Sequence, residues 1–174
     1  GVISLGIGEP DFVTPWRIRE ASIDALDRGA TSYTSNRGLL ALRRAIAGYV
    51  ERRFGVPYDP EAEILVTVGV SEALDLAIRA FCNPGDEVLY HEPCYVSYPA
   101  VVTFAHGVPV PIPTRRENGF ALTRAMIEPH LTDRSRALLL NFPTNPTGAV
   151  MTRRKLEAIA ALARERDLLV LADE

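Results

Sequence analysis

Four short stretches of the sequence place glycine, aromatic, amide or carboxylate groups directly after apolar runs. The first is Gly69-Val70-Ser71, which stands between one such run and a helical pattern. Backbone N–H groups at a helix N-terminus, together with the helix dipole, favour a bound phosphate. A tight turn with Ser71 as a helix cap explains the same residues equally well. The stretch is neither a P-loop nor a G-x-G-x-x-G fingerprint, so a nucleotide site is a poor explanation.

The other three stretches contribute an aromatic ring, an amide and a carboxylate. Tyr95 could offer a flat face to an aromatic ligand, although a half-buried tyrosine at a helix start is the simpler interpretation. Asn145 lies in a loop whose backbone is restricted by two prolines and a glycine. Its side-chain amide could donate a hydrogen bond to a ligand oxygen, or it could bond to the backbone of Asn145 itself. Asp173 could pair with a protonated ring nitrogen, or act as a helix cap or a solvated acid.

Apolar runs and amphipathic patterns alternate along the chain and predict an α/β fold. Strands that are apolar on both faces are typical of a parallel sheet covered by helices on both sides. Because such folds bind ligands at the carboxyl ends of their strands, the four stretches should meet at one edge of the sheet. Together they describe a pocket for a phosphorylated pyridine. The predicted strands are 64–68, 87–90, 108–112, 137–141 and 168–172, and helices are predicted at 70–81, 95–104 and 152–166.

Composition and charge exclude several other classes of protein. The chain has 174 residues and a net charge of −3, and no basic field indicates a nucleic acid partner. No apolar run approaches a membrane span of about 18 residues. The two cysteines, Cys82 and Cys94, form no C-x-x-C pattern, so neither a disulfide scaffold nor a metal site is predicted. Because no signal peptide is visible, we expect a cytoplasmic protein.

A set of motifs occurs in a single order along nearly the whole chain. The set comprises 4–12 (SLGIGEPDF), Tyr33 with 38–40 (GLL), 67–69 (TVG) with 72–74 (EAL), 84–88 (PGDEV), 145–148 (NPTG) and 172–174 (ADE). It resembles the class I and II aminotransferases, fold-type-I enzymes that use pyridoxal 5′-phosphate (PLP). The opening segment is most similar to the bacterial and archaeal aspartate and aromatic aminotransferases. The resemblance implies a homodimer whose large domain is a three-layer α/β/α structure with a mostly parallel sheet.

The resemblance assigns roles around the phosphate and the ring of PLP. It implies that the backbone N–H groups of Val70 and Ser71, together with Glu72, hold the phosphate. Tyr95, at a position where many relatives have tryptophan, would stack on the pyridine ring. Asn145 would donate a hydrogen bond to the 3′-oxygen of the ring and would lie near the substrate carboxylate.

The remaining implied roles concern the ring nitrogen, the substrate and the partner subunit. Asp173 would pair with the ring nitrogen and keep it protonated. Gly8 would offer its backbone N–H to the α-carboxylate of the substrate. Tyr33 would reach across the dimer interface to the PLP phosphate of the neighbouring subunit. The resemblance also implies cis peptide bonds before Pro93 and Pro146.

The sequence lacks the lysine that bonds covalently to PLP. In the family this Schiff-base lysine follows the Asp173 position, whereas Lys155, the only lysine here, precedes it in a predicted helix. None of the arginines matches the substrate-binding arginines of the family. We therefore expect a truncated chain that is inactive by itself. Residues 1–30 would be an N-terminal segment with the first helix, and residues 31–174 the first, incomplete part of the PLP-binding large domain.

The parent protein is expected to move an amino group between an L-amino acid (aromatic, aspartate or similar) and a 2-oxo acid. The same residues would serve a C–S lyase or another fold-type-I lyase, because each of these reactions begins with the substrate joined to PLP. A non-catalytic domain that binds PLP or a phosphorylated metabolite is a further alternative. That alternative predicts that no lysine motif follows Glu174 in the gene.

Overall fold

The computed structural model describes residues 3, 6 and 8–174, so Ser4, Leu5 and Ile7 of the opening motif lie outside the described residues. Contacts divide the chain into two compact units, Gly1–Val66 and Thr67–Glu174. The predicted domain boundary between residues 30 and 31 stays a prediction. The first unit contains helices α1 (Trp16–Asp27) and α2 (Leu40–Phe54). The second contains α3 (Gly69–Phe81), β1 (Glu87–Glu92), α4 (Ser97–Phe104), β2 (Val108–Pro113), α5 (Arg124–Ile127), β3 (Ser135–Asn141), α6 (Arg153–Glu165) and β4 (Leu169–Asp173).

In the first unit, an arginine and a glycine hold the segment after α2 against the start of that helix. Arg43 is buried and donates hydrogen bonds to the carbonyls of Pro60, at 2.6 Å, and Gly38, at 3.3 Å. Gly38 has a φ of +88°, and a Cβ there would lie 2.5 Å from the Cβ of Val66. Any side chain at position 38 would collide with Val66, so this turn requires glycine.

The second unit is built on a parallel sheet of four strands in the order β2–β1–β3–β4. The crossover from β1 to β2 contains α4, and the crossover from β3 to β4 contains α6. Between β2 and β3 lie α5 and two 3₁₀ helices, Arg116–Asn118 and Glu128–His130. Strand β2 carries three prolines and lies at an edge of the sheet, where a missing N–H disrupts fewest ladder bonds. The predicted α/β fold with a parallel sheet is confirmed.

Side chains of the strands alternate between the two faces of the sheet, and helices bury both faces. On one face Leu138 of β3 packs in a cluster with Ile159 of α6. On the other face Ala137 of the same strand packs in a cluster with Ile78 of α3. All four side chains are at most 1% exposed, so each cluster is a closed layer of core. The predicted three-layer α/β/α arrangement is therefore confirmed for this unit.

The strand predicted at 64–68 does not form. Residues 64–67 have no regular secondary structure, and the backbone N–H of Val66 donates to the carbonyl of Arg37 at 3.1 Å. The prediction rested on a run of β-branched residues, a composition that suits a pleated surface but does not supply a partner strand. No ladder in the described part of the chain pairs this run with another strand, so the prediction was wrong.

The helices of the described residues are short. The longest, α2, has 15 residues, whereas a membrane-spanning helix needs about 20. None of the helices in this part of the chain is long and apolar enough to cross a membrane.

Candidate functional site

The carboxyl ends of β3 and β4 lie side by side, and each carries a polar residue. Asn141 ends β3, Asp173 ends β4, and the two are register partners in the parallel pairing. Asn141 is 6% exposed, and its side-chain amide donates to the backbone carbonyl of Asp173 at 2.7 Å. The end of one strand therefore fixes the position of Asp173 on the next.

The N-terminus of α3 supplies backbone donors. The helix begins at Gly69, whose φ of +74° lies in the left-handed region that glycine adopts without strain. In the first turn of a helix, here including Val70 and Ser71, the N–H groups have no carbonyl partner within the helix. Glu72 lies in the same turn, and its carboxylate accepts a hydrogen bond from the N–H of Val68. The backbone of this turn is therefore suited to an anion, while the side chain of Glu72 is bonded to the chain itself.

The loop after β3 presents Asn145. Two backbone bonds close the loop: the N–H of Thr144 donates to the carbonyl of Ala149 at 2.9 Å, and that of Gly148 to the carbonyl of Thr144 at 2.7 Å. The backbone N–H of Asn145 donates to Oδ1 of Asn141 at 2.7 Å. Asn145 is itself exposed, so its side-chain amide is accessible to a ligand.

Three X-Pro peptide bonds in the described residues are cis. Two of them, Glu92–Pro93 and Asn145–Pro146, are the two implied by the family resemblance, and that prediction is confirmed. The third, Phe142–Pro143, lies in the same loop as Asn145 and was not predicted.

These elements surround one cleft of about 270 Å³. This volume is slightly below the range typical for small-molecule sites, about 300–1,000 Å³. Five of the predicted site residues meet here, namely Val70, Ser71, Tyr95, Asn145 and Asp173. The other lining residues are Leu74, Tyr98 and Asn141.

Three predicted site residues do not line the cleft in the described structure. Glu72 lies between Ser71 and Leu74, which line the cleft, and its own side chain accepts a hydrogen bond from the N–H of Val68. Gly8 and Tyr33 belong to the first unit, where both are exposed. The roles expected of these three residues stay predictions.

Tyr98 also lines the cleft, although no motif of the sequence predicted it as a site residue. It is 1% exposed, and its phenol donates to Oδ2 of Asp173 at 2.6 Å. Burial and then the hydrogen bond to Asp173 raise the pKa of the Tyr98 phenol, so the group stays protonated and acts as a donor. Its ring meets that of Tyr95 edge to face, with centroids 5.8 Å apart. The three-residue spacing from Tyr95, typical of one helix face, is a signal that could have pointed to it.

The arrangement of groups in the cleft favours a flat ring that carries an anion. The N–H groups of Val70 and Ser71 favour a phosphate. The carboxylate of Asp173 favours a protonated nitrogen, and Tyr95 offers an aromatic surface. The amide of Asn145 can bond a polar substituent of the ring.

Comparison with known proteins identifies the family. The family model described as aminotransferase class I and II matches residues 1–174, which is the whole chain. The chain belongs to the class I and II aminotransferases.

This aminotransferase chain is similar to proteins named for two kinds of substrate. It is 45% identical to aromatic-amino-acid aminotransferase 2 of Thermococcus litoralis, over 100% of this chain and 45% of that protein. It is 46% identical to the aspartate aminotransferase of Pyrococcus abyssi, over 99% of this chain and 44% of that protein. The solved aromatic aminotransferase of Pyrococcus horikoshii OT3 matches with a TM-score of 0.97 and 47% identity, over 99% of this chain and 46% of that one. The chain therefore spans less than half the length of these relatives.

A larger cleft in the aminotransferase chain carries fewer groups for chemistry. It has a volume of about 580 Å³ and contains none of the predicted site residues. Burial raises the pKa of the Cys94 thiol, which lowers its thiolate fraction at neutral pH. The residues that line this cleft are Glu92, Pro93, Cys94, Val96, Pro99, Pro113 and Thr114.

The described residues contain no group of three or more His, Cys, Asp or Glu side chains placed to hold a metal ion.

Proposed function

We propose that the protein containing this chain is a PLP-dependent enzyme that moves an amino group from an L-amino acid to a 2-oxo acid. Aromatic amino acids, aspartate or a similar amino acid are the proposed donors, in keeping with the names of the relatives. Family membership supports this reaction class. The observation that carries the proposal is the single cleft shared by Val70, Ser71, Tyr95, Asn145 and Asp173.

The groups of the cleft fit PLP part by part. The N–H groups of Val70 and Ser71 would bind the phosphate, since a helix N-terminus attracts anions. Tyr95 would lie against the face of the pyridine ring. The amide of Asn145 would donate to the 3′-oxygen, and the carboxylate of Asp173 would accept from the protonated ring nitrogen.

Asp173 would act by keeping a proton on the ring nitrogen. When bound, PLP supplies an electron sink for the negative charge that forms at the substrate Cα. Tyr98 donates to the carboxylate of Asp173 at 2.6 Å, and Asn141 donates to its backbone carbonyl at 2.7 Å. The chain therefore orients Asp173 with its own hydrogen bonds, which is how preorganised sites avoid reorganisation during a reaction.

The lysine of the reaction is proposed to lie outside this chain. Lys155, at the start of α6, precedes Asp173 in sequence and does not line the cleft. The length of the relatives supports a longer protein. We therefore propose that residues 1–174 alone do not catalyse amino transfer. The gene beyond the codon for Glu174 should encode an S-x-x-K motif and an arginine for the substrate carboxylate. A stop codon at that place would favour a non-catalytic binding domain instead.

Amino transfer is tested by following both products in the protein as its gene encodes it. The protein is incubated with PLP, an aromatic amino acid or aspartate, and a 2-oxo acid such as 2-oxoglutarate. The proposal predicts that glutamate and the 2-oxo acid of the donor form in equal amounts, because the amino group is transferred and not released. Free ammonia with no new amino acid would instead indicate a lyase.

The phenol of Tyr98 is expected to contribute through Asp173. Replacing Tyr98 with phenylalanine should lower kcat/KM for amino transfer about tenfold to a hundredfold, because Asp173 loses a hydrogen bond to its charged group. Tyr90→Phe is the matched control. Tyr90 is also buried, and its hydroxyl lies 3.4 Å from Glu92, but it does not line the cleft. Equal losses in the two variants would show that the effect of Tyr98→Phe is not exerted through Asp173.

We propose that the parent is a cytoplasmic homodimer in which Tyr33 reaches the PLP phosphate of the neighbouring subunit and Gly8 binds the substrate carboxylate. Tyr33→Phe should therefore weaken retention of PLP, because the phosphate loses one hydrogen bond. Tyr58→Phe is the control, since Tyr58 is another exposed tyrosine of the first unit. The measurement is the dissociation constant of PLP for each variant. If Tyr33→Phe binds PLP with the same dissociation constant as the unsubstituted protein, Tyr33 is not part of the site.

A further inference from the structure

We infer that Asn141 is a positioning residue that holds Asn145 and Asp173 at a fixed separation. The inference rests on the proposed function, in which those two residues contact two different atoms of the PLP ring. In that proposal Asn141 only helps to orient Asp173. The inference adds that the same side chain also holds Asn145. Its contribution would be to hold the loop after β3 at a fixed position beside the end of β4.

A single side-chain amide bridges the two groups. The amide nitrogen of Asn141 donates to the backbone carbonyl of Asp173 at 2.7 Å. The amide oxygen of Asn141 accepts from the backbone N–H of Asn145, also at 2.7 Å. An asparagine side chain provides a donor and an acceptor in one rigid plane, so this bridge fixes both partners relative to each other.

The bridge is anchored in the sheet by the backbone of Asn141. Its N–H donates to Nε2 of His91 at 3.3 Å, and its carbonyl accepts from the hydroxyl of Thr144 at 2.8 Å. Burial lowers the pKa of the His91 imidazole, which keeps the ring neutral and able to accept this bond. All four polar atoms of Asn141 therefore have partners, and the residue is 6% exposed.

Loss of the bridge should loosen the loop without removing any group that contacts PLP. Asn145 would keep its side chain, but its backbone N–H would lose the acceptor provided by β3. Asp173 would keep its bond from Tyr98 but would lose the bond to its backbone carbonyl. Buried polar groups without partners are costly, so both segments would shift toward other partners.

Two variants separate the halves of the bridge. Asn141→Ala removes the donor and the acceptor together. Asn141→Asp keeps the acceptor for Asn145 and removes the donor to Asp173. Val88→Ala is the control for a general loss of stability, because Val88 is a buried residue of β1 that lies in the other core cluster and does not line the cleft.

The experiment measures two properties of the protein as its gene encodes it. The first is the dissociation constant of PLP, which should rise about tenfold in Asn141→Ala. The second is amide hydrogen exchange of residues 142–149 by mass spectrometry, measured without PLP. Exchange in this segment should be faster in Asn141→Ala, close to that of the unsubstituted protein in Asn141→Asp, and unchanged in Val88→Ala. Asn141→Asp should weaken PLP binding while the loop stays protected, and it decides the question if the alanine variant does not fold.

The outcomes distinguish this inference from the proposed function. If the parent binds PLP and both Asn141 variants bind it equally well, the positioning role is wrong and the proposed function stands. If Val88→Ala reproduces the changes of Asn141→Ala, the effect is a general loss of stability and the inference is overturned. If the unsubstituted protein does not bind PLP, both the proposed function and this inference are wrong.

Discussion

Asp173→Asn is expected to lower kcat/KM for amino transfer about a hundredfold to a thousandfold while PLP still binds. The substitution keeps the size of the side chain and an oxygen that can accept from Tyr98. It removes the negative charge, and with it the partner of the protonated ring nitrogen. Losing one member of such a charge pair typically costs about 2–5 kcal/mol. Binding should persist, because the N–H groups of Val70 and Ser71 and the ring of Tyr95 are unaffected.

Asp167→Asn provides the matched control for this prediction. Asp167 precedes β4, whereas Asp173 ends it, so the same change is made near the two ends of one strand. Asp167 is exposed and has a φ of +50°, a conformation that asparagine also adopts readily. We expect its kinetic constants to equal those of the parent. Parental turnover in Asp173→Asn would contradict the role given to Asp173.

Asn145→Ala is expected to raise KM about tenfold and to shift the visible absorption of bound PLP. The amide of Asn145 would donate to the 3′-oxygen of the ring and lie near the substrate carboxylate, so its loss removes a hydrogen bond to a charged or polarised oxygen. The backbone bond of Asn145 to Asn141 does not depend on the side chain and should survive. Steady-state kinetics and an absorption spectrum measure the two effects.

Asn83→Ala controls for the loss of an asparagine that precedes proline. Asn83 is exposed in the turn between α3 and β1, and its side chain lies 3.4 Å from Asp86, away from the cleft. We expect this variant to keep the spectrum and the KM of the parent. An unchanged spectrum and KM in Asn145→Ala would count against direct contact between Asn145 and the ring.

Residues whose positions follow from local signals could be predicted from the sequence. Asn145 and Asp173 each follow an apolar run, and in a parallel sheet the carboxyl ends of the strands share one edge. The glycine at position 69 correctly marked the N-terminus of α3, although the strand predicted before it does not form. The structure places Asn145 and Asp173 at one cleft because their relation depends only on the order and direction of β3 and β4.

Residues whose roles depend on distant contacts could not be predicted. Tyr98 and Asp173 are 75 residues apart in sequence, and Asn141 is 32 residues from Asp173. No spacing rule reaches across such separations, because the contacts arise only after the crossovers are packed. The wrong strand at 64–68 has the same cause, since a strand requires a partner that composition alone does not identify.

A crystal structure of the protein as its gene encodes it, grown with PLP, would show whether the cleft between Val70 and Asp173 is the PLP site. We expect the PLP phosphate to lie at hydrogen-bond distance, about 2.7–3.2 Å, from the N–H groups of Val70 and Ser71. The ring nitrogen should contact the carboxylate of Asp173, and the 3′-oxygen should contact the amide of Asn145. PLP bound in the cleft beside Glu92 and Cys94, or no PLP between Ser71, Asn145 and Asp173 at saturating concentration, would show that the proposed PLP site is wrong.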